Sequence, residues 1–257
     1  GLTPGASVDI TVYYDQEYDT SGWTFMKYNR VSETYTDISG IVSGRIRVGV
    51  MTSVCRSVLG EVVADFRDIY QTVDLEILEG LSEELSAAAE SQGLDFAVCN
   101  PPTARRTIVV SKIISDPCLI VSSQDLPKTR SLVEGLDLVT PTKRNFLRRK
   151  IDELCRSGVL RPARIIEVDG LGATLSLVKE SGYCTILPEV AVRGESASMR
   201  RLPISTDIIT SEIAIVNSPD RPMSVPACLL AQNFRRAIEN VRVPPLPMAN
   251  ENRCPPQ

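Results

Sequence analysis

Hydrophobic and polar positions change period repeatedly along residues 44–102. Three short runs there predict β-strands, RIRVGVM, VDLEIL and LDFAVCN. Two segments of helical length separate them, and this alternation of strands with helices predicts βαβ units and a parallel sheet. Polar or small turns follow the first two strands, at Thr52 and Ser53 and then at Gly80 and Ser82. Since open α/β sheets bind ligands beyond the carboxyl ends of their strands, these turns are candidate ligand positions.

The same kind of pattern continues after Pro102. The run TIVVSKIISDPCLIVSS predicts two strands, broken at Asp116 and Pro117, and SEIAIVNSP predicts a further strand. Gly158 and Gly182 directly follow helical patterns, as glycines that end helices do. The other predicted strands are LDLVT, ARIIEV, YCTILP and SMRRLPI. The other predicted helices are NFLRRKIDELCRSG, LGATLSLVKESG and VPACLLAQNFRRAIEN.

Length and charge narrow the class of protein. At 257 residues and 43% hydrophobic composition the chain can bury a full core, as one large domain or two smaller ones, and we expect two lobes. A net charge of −4 and a pI near 5.1 are the opposite of the basic surface that nucleic-acid binding requires. This chain by itself is therefore expected to bind DNA poorly.

Cysteine and histidine usage argues against a metal site. The seven cysteines occur singly, without a C-x-x-C pair, and the chain has no histidine. We therefore expect no metal and no cofactor, and scattered thiols suit a reducing cytoplasm. The sequence shows no run of about 18 apolar residues, which a membrane span needs, and no charged start that leads into an apolar signal segment. We therefore expect neither a membrane span nor secretion.

The strand and helix runs quoted above resemble the effector-binding domain of LysR-type transcriptional regulators. The matching stretches are GRIRVGVMTS, SVLGEVVADFRDIYQTVDLEILEG, SEEL, QGLDFAVCNPP and IIEVDGLGATLSLVKESGYCTILPE. Their order and spacing cover about Ser43 to Asn240. The resemblance implies an α/β fold of two Rossmann-like lobes joined by two hinge strands, similar to type 2 periplasmic binding proteins.

The same resemblance implies the domain boundaries. Lobe I is expected at residues 44–117 together with 217–241, and lobe II at residues 118–216. The last segment, 242–257, is rich in proline and polar residues and is expected to be disordered.

The N-terminal segment, residues 1–43, departs from the family pattern. It holds five of the seven tyrosines and the only tryptophan, and its runs DITVYY and GWTFMKY favour hairpin strands or disorder. Members of the family carry a winged-helix DNA-binding head and a linker helix there. One hypothesis is that 7–39 is a frame-shifted or rearranged stand-in for the linker helix in a chain without that head. The alternative is a flexible extension.

By resemblance, the chain senses a small-molecule effector, expected to be a carboxylate or an aromatic acid, in the cleft between the lobes. The bound effector would alter the lobe angle and so DNA binding by the intact protein, which contacts DNA only through a winged-helix head. Family members are cytoplasmic and associate through these domains, so we expect a homodimer or tetramer in the cytoplasm, without membrane contact.

The first group of candidate effector-binding residues is Thr52, Ser53, Val54, Asn100 and Pro101. The first three open a helix, whose unpaired N–H groups favour an anion, and Ser53 stands where the family often has a ligand-binding hydroxyl. The alternative for Ser53 is an ordinary helix N-cap. Asn100 and Pro101 follow the third strand, and their alternative is a plain turn.

The second group lies in the expected lobe II. Thr140 and Thr142 follow the strand LDLV, where family members contact effector through a loop. Lys143 and Arg144 would add positive charge near an anionic ligand, or are solvated charges on the helix NFLRRKIDE.

Asp169, Gly170 and Leu171 match the second effector loop of that lobe. Asp169 replaces the small polar residue expected there and puts a purely anionic ligand in doubt. The alternative is that Asp169 caps the following helix.

Cys55 is a candidate redox site. The positive end of the helix and Arg56 would lower the pKa of its thiol. The alternative is a small buried apolar residue, as expected for Cys118 and Cys184.

Two other classes of protein remain as alternatives. A stand-alone solute-binding protein of the same fold would require export. An enzyme on the two-lobe fold is less favoured, because the chain lacks histidine, a G-x-S-x-G elbow, a Walker loop and a complete G-x-G-x-x-G after a strand. We therefore expect no catalytic residues.

Overall fold

A computed structural model describes residues 26–29, 34–37, 42–102, 107–124, 133–195, 199–204 and 209–241. The chain divides into two units: unit 1 is Gly1–Ile114 with Glu212–Ile238, and unit 2 is Ser115–Ser211 with Glu239–Gln257. In chain order the elements are β1 (Met26–Asn29), β2 (Thr34–Asp37), β3 (Gly44–Met51), α1 (Thr52–Ile69), β4 (Val73–Gly80), α2 (Ser82–Glu90), β5 (Phe96–Cys99), β6 (Val109–Ser122), β7 (Asp137–Thr140), α3 (Phe146–Arg156), β8 (Arg164–Glu167), α4 (Leu171–Ser181), β9 (Cys184–Pro188), a 3-10 turn (Glu189–Val192), β10 (Arg200–Pro203), β11 (Thr210–Asn217) and α5 (Val225–Glu239).

The sheet of unit 1 has β3 between β4 and β5, all parallel, with β11 antiparallel to β5. The βαβ units that the alternation of strands and helices predicted are therefore confirmed in unit 1. In α5, Phe234 is buried and packs edge-on against Phe96 of β5, with ring centroids 6.4 Å apart. The side chains of α1 that face the core recur at every fourth position, at Val54, Val58, Val62 and Phe66.

The sheet of unit 2 contains parallel and antiparallel pairs. Strand β7 lies parallel to β8 and β9, while β6 is antiparallel to β9 and β10. Alternate residues of β6 enter two separate core clusters, because side chains alternate between the faces of a sheet. Ile120 packs in one cluster and Val121 in the other. Helices α3 and α4 end as predicted, with Gly182 in the left-handed region at φ 70°.

The predicted break at Asp116 and Pro117 is wrong. Strand β6 runs without interruption through both residues. Proline lacks the N–H that a central strand needs, but the register of β6 with β9 begins one residue later, at Cys118 opposite Pro188. Pro117, which has no N–H to donate, therefore lies just before the residues of β6 that pair with β9, and the strand continues through it.

Within residues 1–41 the structure describes two strands. Met26–Asn29 and Thr34–Asp37 pair antiparallel, and the first of them includes part of the run GWTFMKY. The run DITVYY lies outside the described residues, as does the tail 242–257 for which we expected disorder.

Candidate functional site

The three parallel strands of unit 1 end at one edge of its sheet, and the first candidate residues lie there. Thr52 and Ser53 form the first turn of α1 and are half-buried, while Val54 is fully buried in the core. The N-cap of α1 is Met51, whose side chain makes no capping hydrogen bond. The alternative that Ser53 caps the helix is therefore wrong, because the helix begins directly at the end of the strand.

Asn100 lies at the same edge and is held in place by Ser82. The Ser82 Oγ donates to the Asn100 Oδ1 at 3.2 Å and accepts from the Asn100 N–H at 3.1 Å. The Asn100 Nδ2 in turn donates to the Glu212 carbonyl at 2.5 Å. Ser82 thus ties the start of α2 to the end of β5. Sequence reasoning noted Ser82 only as a helix start, and its position after a strand was the available signal.

Replacing Ser82 with alanine is expected to destabilise this edge. The substitution removes both hydrogen bonds between the Ser82 hydroxyl and Asn100 and leaves the half-buried Asn100 backbone N–H without this acceptor, which costs about 1 kcal/mol. Thermal unfolding of Ser82→Ala measures the loss. The matched control is Ser91→Ala, because Ser91 is exposed and its hydroxyl donates only locally, to the Ala88 carbonyl. Equal melting temperatures for native protein and Ser82→Ala would contradict the prediction.

In unit 2, strands β7 and β8 end side by side, with Thr140 paired to Glu167. Arg148 of α3, with only 6% of its side chain exposed, connects these two strand ends. Its Nη1 donates to the Glu167 Oε1 at 2.7 Å, the Thr140 Oγ1 at 3.1 Å and the Pro141 carbonyl at 3.2 Å. Its Nε donates to the Asp152 Oδ1 at 2.7 Å. Sequence reasoning missed Arg148, which stands in the basic run LRRK without a distinguishing signal.

Arg148 remains positively charged in this position. Burial works to lower its pKa, but the hydrogen bonds to the Asp152 and Glu167 carboxylates outweigh burial and hold the pKa above its ordinary value. Thr140 is itself fully buried, so its hydroxyl serves as a partner of Arg148. Its role in effector binding stays a prediction.

Thr142 and Asp169 connect the turns that follow β7 and β8. The Thr142 N–H donates to the Asp169 Oδ1 and the Thr142 hydroxyl donates to the Asp169 Oδ2, both at 3.1 Å. The N-cap of α4 is Gly170, at φ 106°, a conformation that favours glycine. The alternative that Asp169 caps α4 is therefore wrong, since its carboxylate binds the neighbouring turn. Leu171 begins α4 and packs on the core.

Lys143 and Arg144 are exposed and precede α3, which begins at Phe146. The alternative that both are solvated charges agrees with this exposure, but its placement of them on the helix is wrong, because Asn145 caps that helix by accepting from the Leu147 N–H at 2.9 Å. The helix therefore starts after both charges.

Cys55 lacks the environment of a reactive thiol. Burial, with a smaller contribution from the Glu79 charge, raises the pKa of Cys55 to about 12, and its Sγ donates to the Val50 carbonyl at 3.5 Å. The expectation of a lowered pKa is wrong, because burial disfavours the charged thiolate and the Glu79 charge adds to this effect.

The number of thiols that react with Ellman's reagent at pH 7.5 is expected to be the same for the native chain and Cys55→Ser, because thiolate is the reactive form. In denaturant all thiols are accessible, so the native chain should show one more reactive thiol than Cys55→Ser, and this difference serves as the control. Loss of a fast-reacting thiol from the folded variant would contradict the assignment.

Asp116 is a buried carboxyl group that sequence reasoning treated only as a strand break. It is 3% exposed and accepts from the Val190 N–H at 3.1 Å. Burial raises the pKa of Asp116 to about 7, the hydrogen bond from Val190 opposes this rise, and the Glu189 charge adds to it.

The described part of the chain shows neither a metal-binding cluster nor a membrane-spanning helix. Its histidine, cysteine and acidic side chains form no group of three or more that could hold a metal ion. Its helices are all too short or too polar to cross a membrane.

The predicted residues thus gather at two sheet edges. Those of unit 1 lie where β3 and β5 end, and those of unit 2 lie in the turns after β7 and β8. At the first edge, the start of α1 offers N–H groups with no partner inside the helix and has no acidic side chain in its first turn. At the second, an acidic side chain occupies the turn donors.

Comparison with known proteins gives a consistent match. A family model described as "LysR substrate binding domain" matches residues 39–240. The HTH-type transcriptional regulator GltR of Bacillus subtilis (strain 168) is 24% identical over 152 residues, which is 58% of this chain and 51% of that protein. The aligned segment thus spans about half the length of this curated relative.

Solved structures share the fold at low identity. A BenM effector-binding domain with its effector benzoate has a TM-score of 0.62 and 17% identity, covering 78% of this chain and 96% of that one. An OxyR mutant from Corynebacterium glutamicum has a TM-score of 0.65 and 19% identity, covering 77% of this chain and 65% of that one. These likenesses confirm the predicted α/β fold of the periplasmic-binding-protein type.

Proposed function

Because the chain belongs to the LysR substrate binding domain family, we propose that it is the part of a LysR-type transcriptional regulator that senses a small-molecule effector. The observation that carries this proposal, beyond the family, is the start of α1. It directly follows a central strand, has Thr52 and Ser53 half-buried in its first turn and has no acidic side chain there. Such a helix start favours an anion.

The effector we propose is a small acid, bound through its carboxylate at the start of α1. Ser53 would contribute its hydroxyl as a donor, and the first-turn N–H groups would contribute partial positive charge. Benzoate is the effector of the BenM domain, which has the same fold. The full set of proposed contact residues is Thr52, Ser53, Val54, Asn100, Pro101, Thr140, Thr142, Arg144, Asp169, Gly170 and Leu171.

The effector would regulate the intact protein by binding one of its two conformational states more tightly than the other. A ligand moves an equilibrium between two states of a protein only as far as its affinities for them differ. In the intact regulator we propose that one of these states favours DNA binding. The net charge of −4 supports a sensing role for this chain, with DNA contacts made by another part of the regulator.

Assembly and location are further parts of the proposal. We propose a homodimer or tetramer in the cytoplasm, and sedimentation that shows only monomer at high concentration would count against the assembly. No observation favours the alternatives, a stand-alone solute-binding protein or an enzyme, and we propose no catalytic activity.

A thermal-shift screen tests the proposal directly. Benzoate, other small carboxylates, amino acids and sugar phosphates would each be added to the purified chain. A ligand at about 100 times its Kd is expected to stabilise the fold by about 2.7 kcal/mol. The stabilisation should shrink in Ser53→Ala, because the variant lacks the proposed donor.

The matched control is Ser57→Ala, one turn further along α1. Ser57 is also half-buried, and its hydroxyl donates to the Val54 carbonyl at 3.4 Å within the helix. An acid that stabilises the native chain and both variants equally would remove Ser53 from the site. A panel without any stabilising acid would contradict the acid-sensing function.

A further inference from the structure

The 3-10 turn Glu189–Val192 lies against β6 of the same unit. Val192 belongs to the same buried core cluster as Val121 of β6. The Val190 N–H donates to the Asp116 Oδ2 at 3.1 Å, which links the backbone of the turn to a side chain of that strand. Val190 and Val192 are both fully buried. The docked turn, residues 189–192 in contact with β6, therefore depends on apolar burial and on one carboxyl group.

Asp116 is buried without a positive partner. It is 3% exposed, and among the residues that the structure describes it forms the hydrogen bond from Val190 and no ion pair. An ionised carboxylate in such a position loses its hydration, and one backbone donor replaces only part of it. Burial therefore favours the neutral acid. The pKa of Asp116, which burial raises to about 7, agrees with this.

The ionisable groups that act on Asp116, or on its neighbour Cys118 in β6, come from the docked turn and from α3. Glu189 of the turn is half-buried, and its negative charge raises the pKa of Asp116 further. Cys118 is a neutral thiol, because burial raises its pKa to about 12. Lys150 of α3 acts on Cys118 by its charge, and its Nζ donates to the Thr210 carbonyl at 2.8 Å. The turn itself therefore places a like charge, that of Glu189, near an ionised Asp116.

We propose that Asp116 makes the docking of this turn sensitive to pH: the turn stays on β6 while the carboxyl group is neutral and opens to solvent when the group ionises. Opening hydrates the carboxylate and moves it away from Glu189, and both changes favour the open turn. Each residue involved belongs to unit 2. The inference therefore holds or fails independently of the proposed effector site.

The raised pKa of Asp116 sets the pH range of the opening. Below pH 3.8 the carboxyl group is neutral in the docked and the open turn, so docking is strongest there. As the pH rises from 3.8 to about 7 the open turn ionises first, and docking weakens until Asp116 ionises in both forms. The equilibrium constant for opening is therefore expected to rise about 50-fold from pH 5 to pH 8.

Hydrogen exchange of the Val190 amide, followed by NMR on the full chain, tests this expectation. The protection factor corrects the measured rate for the intrinsic pH dependence of exchange, so it reports the opening alone. It should fall about 50-fold between pH 5 and pH 8. At pH 8 it should also be at least about tenfold lower than that of Ile186, a fully buried residue of β9, because local opening of the turn leaves the strand in place.

Two variants assign the effect to the carboxyl group. Asp116→Asn keeps an oxygen that can accept from Val190 and stays neutral, so the protection of Val190 should be constant between pH 5 and pH 8. Glu189→Gln removes the like charge and keeps Asp116, so the fall in protection should be smaller by about twofold or more. The control is Glu153→Gln, an equal change of charge at an exposed position of α3, which should leave the fall as it is in the native chain.

Three results would overturn the inference. The first is constant protection of Val190 in the native chain between pH 5 and pH 8. The second is an equal fall in native protein and Asp116→Asn or, should that variant not fold, in native protein and Glu189→Gln, because the pH dependence would then belong to another group. The third is equal protection of Val190 and Ile186 at pH 8, because the turn would then open only when the unit unfolds.

Discussion

Replacing Arg148 with methionine is expected to lower the free energy of unfolding by about 3 kcal/mol. Removing one partner of a buried ion pair commonly costs about 3 to 5 kcal/mol. We expect the lower end, because the remaining side chains of Asp152 and Glu167 are 33% and 43% exposed and water can hydrate their carboxylates. Methionine retains most of the side-chain volume, so the loss reports on the hydrogen bonds and charge. Urea unfolding measures it.

An exposed ion pair between β7 and β8 supplies the control. Arg164 donates to both oxygens of Asp137 at 2.9 and 2.6 Å, at the opposite ends of β7 and β8, and its side chain is 77% exposed. Exposed ion pairs contribute little to stability, so Arg164→Met should unfold at nearly the native urea concentration. Equal losses in Arg148→Met and Arg164→Met would show that burial does not distinguish the two pairs.

The Asp116→Asn variant is expected to be more stable than the native chain at pH 8, by about 2 kcal/mol, and no more stable at pH 5. The folded-state pKa of Asp116 is about 7, against 3.8 for the unperturbed group. At about 1.36 kcal/mol per pKa unit, this difference corresponds to about 4 kcal/mol. The additional amide N–H donors of a buried asparagine offset about half of that gain.

The raised pKa of Asp116 determines how the stability of the native chain changes with pH. Below pH 3.8 the carboxyl group is protonated in both states, and its favourable contribution to folding is complete. As the pH rises the unfolded chain ionises first, so this contribution falls and is lost as the pH passes about 7. Urea unfolding at pH 5, 6.5 and 8 measures the trend.

Glu153→Gln, which removes an exposed carboxylate from α3, is the charge-matched control for Asp116→Asn. Its difference in stability from the native chain should stay constant between pH 5 and 8. The same constancy in Asp116→Asn would mean that Asp116 ionises equally in the folded and unfolded states, contrary to its burial.

Local periodicity was sufficient to predict most of the elements. The strands β3, β4 and β5 and the helices between them followed from patterns that need only neighbouring residues. The break at Asp116 and Pro117 was wrong because it depended on which residue of β6 first pairs with β9. Pairing of this kind joins positions far apart in the chain, and sequence spacing does not reveal it.

The residues of the candidate site likewise divide into those that the sequence predicted and those whose role depends on tertiary contacts. Ser53 was predicted from the turn that ends a strand, since parallel topology places such turns at the edge of a sheet, and Thr142 was predicted from the family resemblance. Arg148 was missed, because its importance comes from contacts with Thr140 and Glu167, which belong to other elements. For Cys55 the helix start and Arg56 predicted a low pKa, and burial reversed the direction.

The sequence by itself determined the order of strands and helices, the family resemblance and the turns that bear the candidate residues. Each of these depends on local pattern and on the order of residues along the chain. Only the tertiary structure decided that Asp169 occupies the donors of Thr142 and that Asp116 is desolvated. Hydrogen-bond partners and burial depend on the packing of elements that are distant in sequence, so residue type and spacing do not specify them.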